Sequence, residues 1–520
     1  MDSSVAMMFD RAFQHHQEGR VVEAEQGYNK ILVIDADHAD SLHLLGMIAF
    51  QAGDCETAVQ RIRRAIEIHP RASSYHSNLG NVLQQLGQAR EAASCYLRAL
   101  RIKPDLVEAQ VNLANVFLAA GDTEHAVEWY QHALKLRPNL PEAQKSLGDA
   151  FRVQEKLDLA RTAFERAIAL KPEYADALNE LGGVLRMTGD LEGALLRFRE
   201  AQAIEPEHPR AGFAEAMVLL LQGEFRDGWA VYERRWTCTD HATPMRAYPQ
   251  PAWRGEKLDG NLLLWPEQGI GDEIMFAGSV SDVVATGNCC ILECDARLLP
   301  LFARSFPEVE VILDRDAGFD PARKIAAQLP TGSLPLFYRS DRAAFAAAAS
   351  PYLKADPAKR EKYVSRYADG RRMVGLAWYS NNVKTGANRS IALPAFEPLF
   401  AKHDLRWISL QYGEHAALQA EVNDLPVFVD PEADQLSDMD EFAAQVAAMD
   451  LVITIDNTTA HLASALGVGV WLLLPFAPDW RWQASGSDSP WYPTMRIFRQ
   501  PSRGDWEPVM AEVREALAAL

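Results

Sequence analysis

Apolar positions in the first half of the chain follow helical spacing, and the whole pattern recurs every 34 residues. Five prolines, Pro70, Pro104, Pro138, Pro172 and Pro206, mark the period. Alanines recur with it at Ala58, Ala92, Ala126, Ala160 and Ala194, and again at Ala65, Ala99, Ala133, Ala167 and Ala201. Gly46, Gly80, Gly148 and Gly182 share one position, which Ala114 fills once, and aromatics fall at Tyr96, Tyr130, Phe164 and Phe198. A period of this length predicts stacked helical hairpins. Small residues let paired helices approach, the aromatic fills the gap towards the next unit, and proline ends the second helix because it lacks an N–H. Beyond about residue 240 the pattern changes to short, continuous apolar runs separated by helical stretches. The runs are Leu262–Trp265, Cys289–Cys294, Val309–Leu313, Val374–Trp378, Trp407–Leu410, Leu451–Ile455, Val470–Leu474 and Met495–Phe498. They predict parallel sheets covered on both faces, in two doubly wound units. The stretch TCTDHATPMRAYPQPAWRGEKLDG reads as the linker into this region, and Lys359–Arg372 as the boundary between its halves.

The length of 520 residues calls for two or three domains. No apolar run reaches membrane-spanning length, and the N-terminal MDSSVAMMFDRAF lacks the basic start and apolar core of a signal peptide. The six cysteines show no zinc spacing and read as free thiols of a cytoplasmic protein. A formal net charge of −19 argues against non-specific nucleic-acid binding, although a local basic pocket is compatible with it.

Ligands of doubly wound sheets sit beyond the carboxyl ends of strands, so the candidate chemistry lies in the loops that follow the apolar runs. The first run leads into Pro266-Glu267-Gln268-Gly269-Ile270-Gly271-Asp272-Glu273. Gly269 and Gly271 permit close backbone approach, and free N–H groups at the next helix start suit an anion or a sugar hydroxyl. The alternative is a plain strand–helix turn with Asp as cap. Val374–Trp378 runs into a polar loop whose Lys384 and Arg389 suit a diphosphate, or simply a solvated loop. Leu451–Ile455 ends in Asp456-Asn457-Thr458-Thr459-Ala460-His461, where hydroxyls, an amide and backbone N–H groups meet at a helix N-terminus. His461 falls one turn into that helix, as a ligand contact or a structural histidine. Trp480-Arg481-Trp482 and Trp491-Tyr492 suit either a base- or sugar-stacking wall or a small satellite core. Asp314-Arg315-Asp316 and Asp438-Met439-Asp440 resemble metal-binding strings, but the first follows a strand and the second caps a helix, so no metal is assigned.

Residues 5–206 resemble the tetratricopeptide repeat at nearly every signature position. The first copy is degenerate (Ala12, Ala24, Tyr28), and a partial seventh follows (Ala216, Gly228, Tyr232). The segments EQGIGDEIMF, GLAWYSNNVKTGANRSIAL, ISLQYGE, ITIDNTTAHLASALG and LLPFAPDWRWQASGSDSPWYP together resemble the glycosyltransferase domain found behind bacterial tetratricopeptide arrays. That domain is related to the heptosyltransferase type of GT-B fold, and the architecture is similar to that of the O-linked N-acetylglucosamine transferase. The resemblance implies an α-helical TPR solenoid over residues 1–240, then a GT-B pair of Rossmann-like domains at 241–365 and 366–520. It implies a metal-independent glycosyltransferase with a nucleotide-sugar cosubstrate, UDP-type as a first expectation. Asp272 matches the general base of the family. Gly269, Gly271, Lys384, Arg389, Asp456, Asn457, Thr458, Thr459, His461 and Trp480 fall on donor-binding positions. Tyr379 stands where many relatives carry Arg.

In such an array the first helices of successive units line a concave groove. Asn78 and Asn112 share one repeat position, and Asn81 and Asn115 another; they resemble a short asparagine ladder for an extended acceptor peptide, or else bond helix ends. Ser146 and Glu180 interrupt the series. The resemblance implies a protein acceptor, with flagellin or another surface protein as the class. A TPR scaffold with an inactive GT-B domain and a lipopolysaccharide or glycan transferase are the competing readings.

Overall fold

The computed structural model describes residues 3–520 except 239–240, 242, 314–322, 383–385, 402–403, 414–416, 418–420 and 423–424. It contains two compact units, residues 1–184 and 185–520.

The repeats form helical hairpins as the period predicts. Second helices end at Ile68, Ile102, Leu136, Leu170 and Ile204, each two residues before its proline. The repeated Ala58, Ala65, Ala92, Ala99 and Tyr96 are fully buried. At Gly80 an added Cβ would lie 2.6 Å from the Tyr96 ring, so the small residue and the aromatic specify one contact. Within each hairpin the turn uses a left-handed residue: Gly53, Gly87, Gly121 and Gly189 have φ of 86°, 73°, 80° and 87°. Glu155 occupies the same repeat position with φ 58°.

The region after the repeats contains two all-parallel sheets. Strands β1 (Asn261–Trp265), β2 (Cys289–Cys294), β3 (Glu310–Leu313) and β4 (Ile325–Pro330) pair in the order β3-β2-β1-β4. Strands β5 (Arg372–Ala377), β6 (Leu405–Ser409), β7 (Val427–Phe428), β8 (Leu451–Ile455), β9 (Val470–Leu474) and β10 (Met495–Arg499) pair in the order β10-β9-β8-β5-β6-β7. Counted within its own half, the second sheet has the doubly wound order 3-2-1-4-5-6. One of its faces packs Val374, Leu376, Trp407 and Ile453 against Phe396 and the C-terminal helix Glu507–Ala518. The other buries Ile408, Val452 and Leu472 with Phe442 and Leu462.

The first sheet is less symmetric. Leu262, Leu264, Cys290 and Leu292 face a helical layer that includes Ile274, Val280, Leu301 and Phe302. The opposite face is covered by Trp236 and by described residues of the segment that follows it, read as a linker. Trp236 and Tyr248 pack on Trp265 at ring distances of 5.5 and 6.1 Å. Arg246 pairs with the buried Glu293 at 2.8 Å. That segment is therefore a structural layer, recruited by the aromatic residues between its turn formers.

Two boundaries also differ from those read from sequence. The first compact unit ends at 184 rather than 240, because Trp229 and Tyr232 of the last repeat are buried with Met275, Phe276, Phe345 and Trp480. The charged stretch from 359 includes most of the helix Pro357–Tyr367, which belongs to the second half. Its Tyr363 and Tyr367 hydroxyls donate to Glu441 at 3.0 Å and Asp430 at 2.8 Å.

Candidate functional site

Ligand crevices of such sheets form where neighbouring strands lead in opposite directions, between β1 and β4 in the first sheet and between β5 and β8 in the second. The loops after β1, β5, β8 and β9 meet around one cleft of about 480 Å³, a size suited to a small organic ligand. Its lining includes Gln268 to Asp272, Asn382, Arg389, Asp456 to Thr458, His461, Asp479 and Arg481.

Each loop is built for close approach. Gly269 caps the helix Ile270–Ala277, and its N–H donates to Asp272 Oδ2 at 3.4 Å. Asp272 is thus both a helix-start residue and a cleft residue. An added Cβ at Gly271 would lie 3.2 Å from His461 Cδ2 and 3.5 Å from Thr458 Oγ1, so glycine lets the two halves meet there. Asn457 caps the helix Thr458–Ala465; its Oδ1 accepts from Thr454 Oγ1 at 3.0 Å, while its Nδ2 is buried without a partner. Arg389 Nη1 donates to Asp456 Oδ2 at 2.9 Å, and among the described residues its buried Nε has no partner either. Buried donors of this kind carry a cost that a polar ligand would remove.

The electrostatics are dominated by paired charges. Arg481 Nε donates to Asp272 Oδ1 at 2.9 Å, Nη1 to Asp479 Oδ1 at 2.6 Å and Nη2 to Gln268 Oε1 at 3.1 Å. For Asp479 burial acts to raise the pKa, but the Arg481 guanidinium outweighs it and holds the carboxyl below its ordinary range. For Asp456 burial wins over Arg389, and the carboxyl lies above its ordinary range. Burial, reinforced by Arg481, pushes His461 down to about 3. The imidazole is therefore neutral near pH 7, stacked on Trp482 at 4.8 Å with Nδ1 2.9 Å from the Tyr492 hydroxyl.

The structure brings Gly269, Gly271, Asp272, Arg389, Asp456, Asn457, Thr458 and His461 to this cleft. Lys384 lies outside the described residues, as do Asp314, Arg315 and Asp316. Thr459 does not line the cleft; it is fully buried in its helix. Trp480, read as a donor contact, is a core residue instead, packed on Trp229 at 5.5 Å and Tyr232 at 5.6 Å. Trp482 and Tyr492 are buried as well, so the aromatic loop is a satellite core and not a stacking wall. Its cleft-facing members are the charged ones, Asp479 and Arg481. Sequence reasoning names Arg481 only as part of a stacking wall and gives Asp479, Gln268 and Glu267 no role of their own; the signal is a single Asp and Arg among tryptophans. Asp438 caps the helix Met439–Ala447, accepting from Asp440 and Glu441 N–H, which accounts for its Asp-x-Asp string. Among the described residues no three His, Cys, Asp or Glu side chains converge as metal ligands.

Behind the cleft, the turn after β1 is anchored on the last repeat. Arg235 and Glu267 form a fully buried pair at 3.0 Å. Arg235 also donates to Ser333 Oγ at 2.7 Å, and Gln268 Nε2 donates to the Tyr232 hydroxyl at 2.7 Å.

In the repeat array the asparagines bridge neighbouring helices. Asn112 Nδ2 donates to Asn81 Oδ1 at 2.8 Å, and Tyr96 donates to the same oxygen at 2.7 Å. Asn78 Nδ2 donates to His43 Nε2 at 2.9 Å. Burial lowers His43 to about 4, so the ring is neutral near pH 7 and one of its nitrogens is free to accept. The Tyr130 hydroxyl donates to Asn115 Oδ1 at 2.5 Å.

Comparison with known proteins places the repeats directly. Tetratricopeptide repeat models match residues 70–139 and 146–209. Protein FlbA of Caulobacter vibrioides is 32% identical over 335 residues, 59% of this chain and 54% of FlbA. The chain thus spans about half the length of that relative. Since the repeats occupy less than half of the chain, the match extends into the α/β region. Among solved structures, PilF of Pseudomonas aeruginosa is 20% identical over 39% of this chain and 93% of its own, with a TM-score of 0.36. YrrB, a TPR protein with an unusual peptide-binding site, is 23% identical over 36% and 97%, with a TM-score of 0.33. The N-terminal region of this chain is an array of tetratricopeptide repeats followed by parallel-stranded sheets.

Proposed function

We propose that this chain is a glycosyltransferase of GT-B type that moves a sugar from a nucleotide-sugar donor to a protein acceptor held by its repeats. The observation that carries the reading is the cleft formed where both sheets end, with Asp272 from the first sheet on one side and Arg389, Arg481 and a helix N-terminus from the second on the other. An acceptor hydroxyl oxygen attacks the anomeric carbon of the donor, and its proton passes to Asp272. The bond from the anomeric carbon to the phosphate oxygen breaks, and the nucleotide leaves with the electron pair. Arg389 and Arg481, Lys384 by resemblance, and the N–H groups at Thr458 are suited to stabilising that charge. Asn457 Nδ2 adds a buried donor in the same place.

The acceptor side rests on the repeats. With the carbonyls of Asn81 and Asn115 engaged by tyrosines, their amide N–H groups are the donors suited to peptide carbonyls. Tethering an acceptor to the chain that carries the cleft raises its effective concentration. A flagellin-like surface protein is the acceptor class we favour, with UDP as the first nucleotide to test and a cytoplasmic site of action. No described helix is long and apolar enough to cross a membrane.

A TPR adaptor without transfer activity is the second reading, favoured by the pairing of Arg389 and Arg481 with carboxylates. Transfer assays separate the two. Asp272→Asn should abolish transfer while leaving acceptor capture unchanged, and Arg389→Ala should weaken nucleotide binding about tenfold. Transfer that survives Asp272→Asn removes the base assignment. A chain that captures a partner whose intact mass never changes is an adaptor.

A further inference from the structure

We propose that Arg481 is a latch that holds Asp272 and donor phosphate in turn, so that donor binding is what frees the base. The inference rests on the glycosyl-transfer reading and deepens it by setting the order of events. Asp272 follows β1 of the first sheet, and Arg481 follows β9 of the second. They are 209 residues apart in the chain yet joined by charge-assisted hydrogen bonds from Nε and Nη2 to Asp272 Oδ1. Asp272 Oδ1 is therefore already engaged by two N–H groups, and Oδ2 accepts from Gly269 N–H at 3.4 Å.

The supply of positive charge in the cleft sharpens the argument. Among its described lining residues the carboxylates are Asp272, Asp456 and Asp479, and the cations are Arg389 and Arg481. Arg389 is committed to the buried Asp456. Among the described lining residues, a bidentate guanidinium contact to a phosphate entering between the sheets has to come from an arginine that carboxylates now hold, and a guanidinium fork serves one bidentate partner per edge. Arg481 can make the exchange without losing its place. Asp479 holds Nη1 at 2.6 Å, Gln268 holds Nη2 at 3.1 Å, and the guanidinium carbon lies 4.4 Å from the Trp480 ring centre. Releasing Asp272 costs it one partner of several. Gln268 keeps a left-handed backbone, φ 65°, with its N–H on Thr243 Oγ1 at 2.7 Å, so the turn that presents Asp272 is itself held in place.

The result is an ordered reaction in which the donor is seated before an acceptor hydroxyl meets a free carboxylate. Asp272 then opposes nucleotide binding, because it competes for Arg481. Titration calorimetry of the full chain with UDP, then GDP, ADP and CMP, tests this. With a nucleotide that binds the wild type, Asp272→Asn should bind it about 5-fold or more tightly, the coupling expected of two ligands sharing one group. In an Arg481→Gln background the same substitution should change affinity by less than about 2-fold, because the shared group is gone. Circular dichroism checks the fold, and Asp272→Ala serves in the same cycle if the asparagine variant does not fold. Equal or weaker binding by the Asp272 variants overturns the latch and leaves the transfer reading standing. Failure of every nucleotide to bind the wild type overturns the transfer reading, and the latch with it.

Discussion

At the scale of single residues, the repeat makes each exception visible. Glu155 occupies a position where six units use glycine with φ between 73° and 87°, and it holds φ 58° itself. A side chain in the left-handed region costs about 1–2 kcal/mol relative to glycine's freedom there. Glu155→Gly should therefore raise the stability of the array by about 1 kcal/mol, after subtracting the extra entropy of an unfolded glycine. Thermal unfolding of residues 1–184 followed by circular dichroism measures it, and a lower midpoint would show that contacts of the glutamate outweigh the backbone term. In the cleft, Gly271, Asp272, Arg389 and Asp456 could be picked out from sequence because each lies in the segment that follows a strand. Arg481 could not, because its role depends on a partner from the other sheet, and distance along the chain conceals that pairing.

At the scale of elements, continuous apolar runs marked eight of the ten described strands to within two residues at either end. The two missed have physical reasons. Strand β4 reads IAAQLP, with small side chains and a buried Gln328 whose Oε1 accepts from Trp265 Nε1 at 2.6 Å. Strand β7 is only two residues long. The aromatic loop after β9 stays open in the sequence for a related reason: tryptophans suit both a ligand wall and a core, and only packing partners decide between them. Trp229 shows the consequence. It is buried against Trp480 and Trp491, with its Nε1 donating to Arg339 O at 2.9 Å. Trp229→Ala should cost about 3–5 kcal/mol, the usual cost of removing a large buried aromatic. All tryptophans except Trp129 lie in residues 185–520, so fluorescence during urea unfolding reports this unit. A loss under 1 kcal/mol would mean that the last repeat is not part of its core.

At the scale of the molecule, the compact unit that holds the cleft begins at Leu185, inside the repeats. A fragment of residues 185–520 should fold and bind nucleotide as the full chain does. A fragment of 241–520 should not, because it lacks Arg235 and leaves Glu267 buried without its partner, which costs about 3–5 kcal/mol before the loss of Trp229 and Tyr232 is counted. Size-exclusion chromatography and calorimetry of both fragments decide the matter; a well-folded 241–520 would show the last repeat to be dispensable. The 34-residue period has a further consequence for the groove. Each hairpin in such an array touches mainly its neighbours, so the array can change length only in whole units without breaking its packing. Deleting the segment between Pro104 and Pro138 joins equivalent surfaces, whereas deleting half of it joins mismatched ones. The length of the repeat surface is therefore quantised, and it can be lengthened or shortened in steps while every residue of the cleft stays as it is.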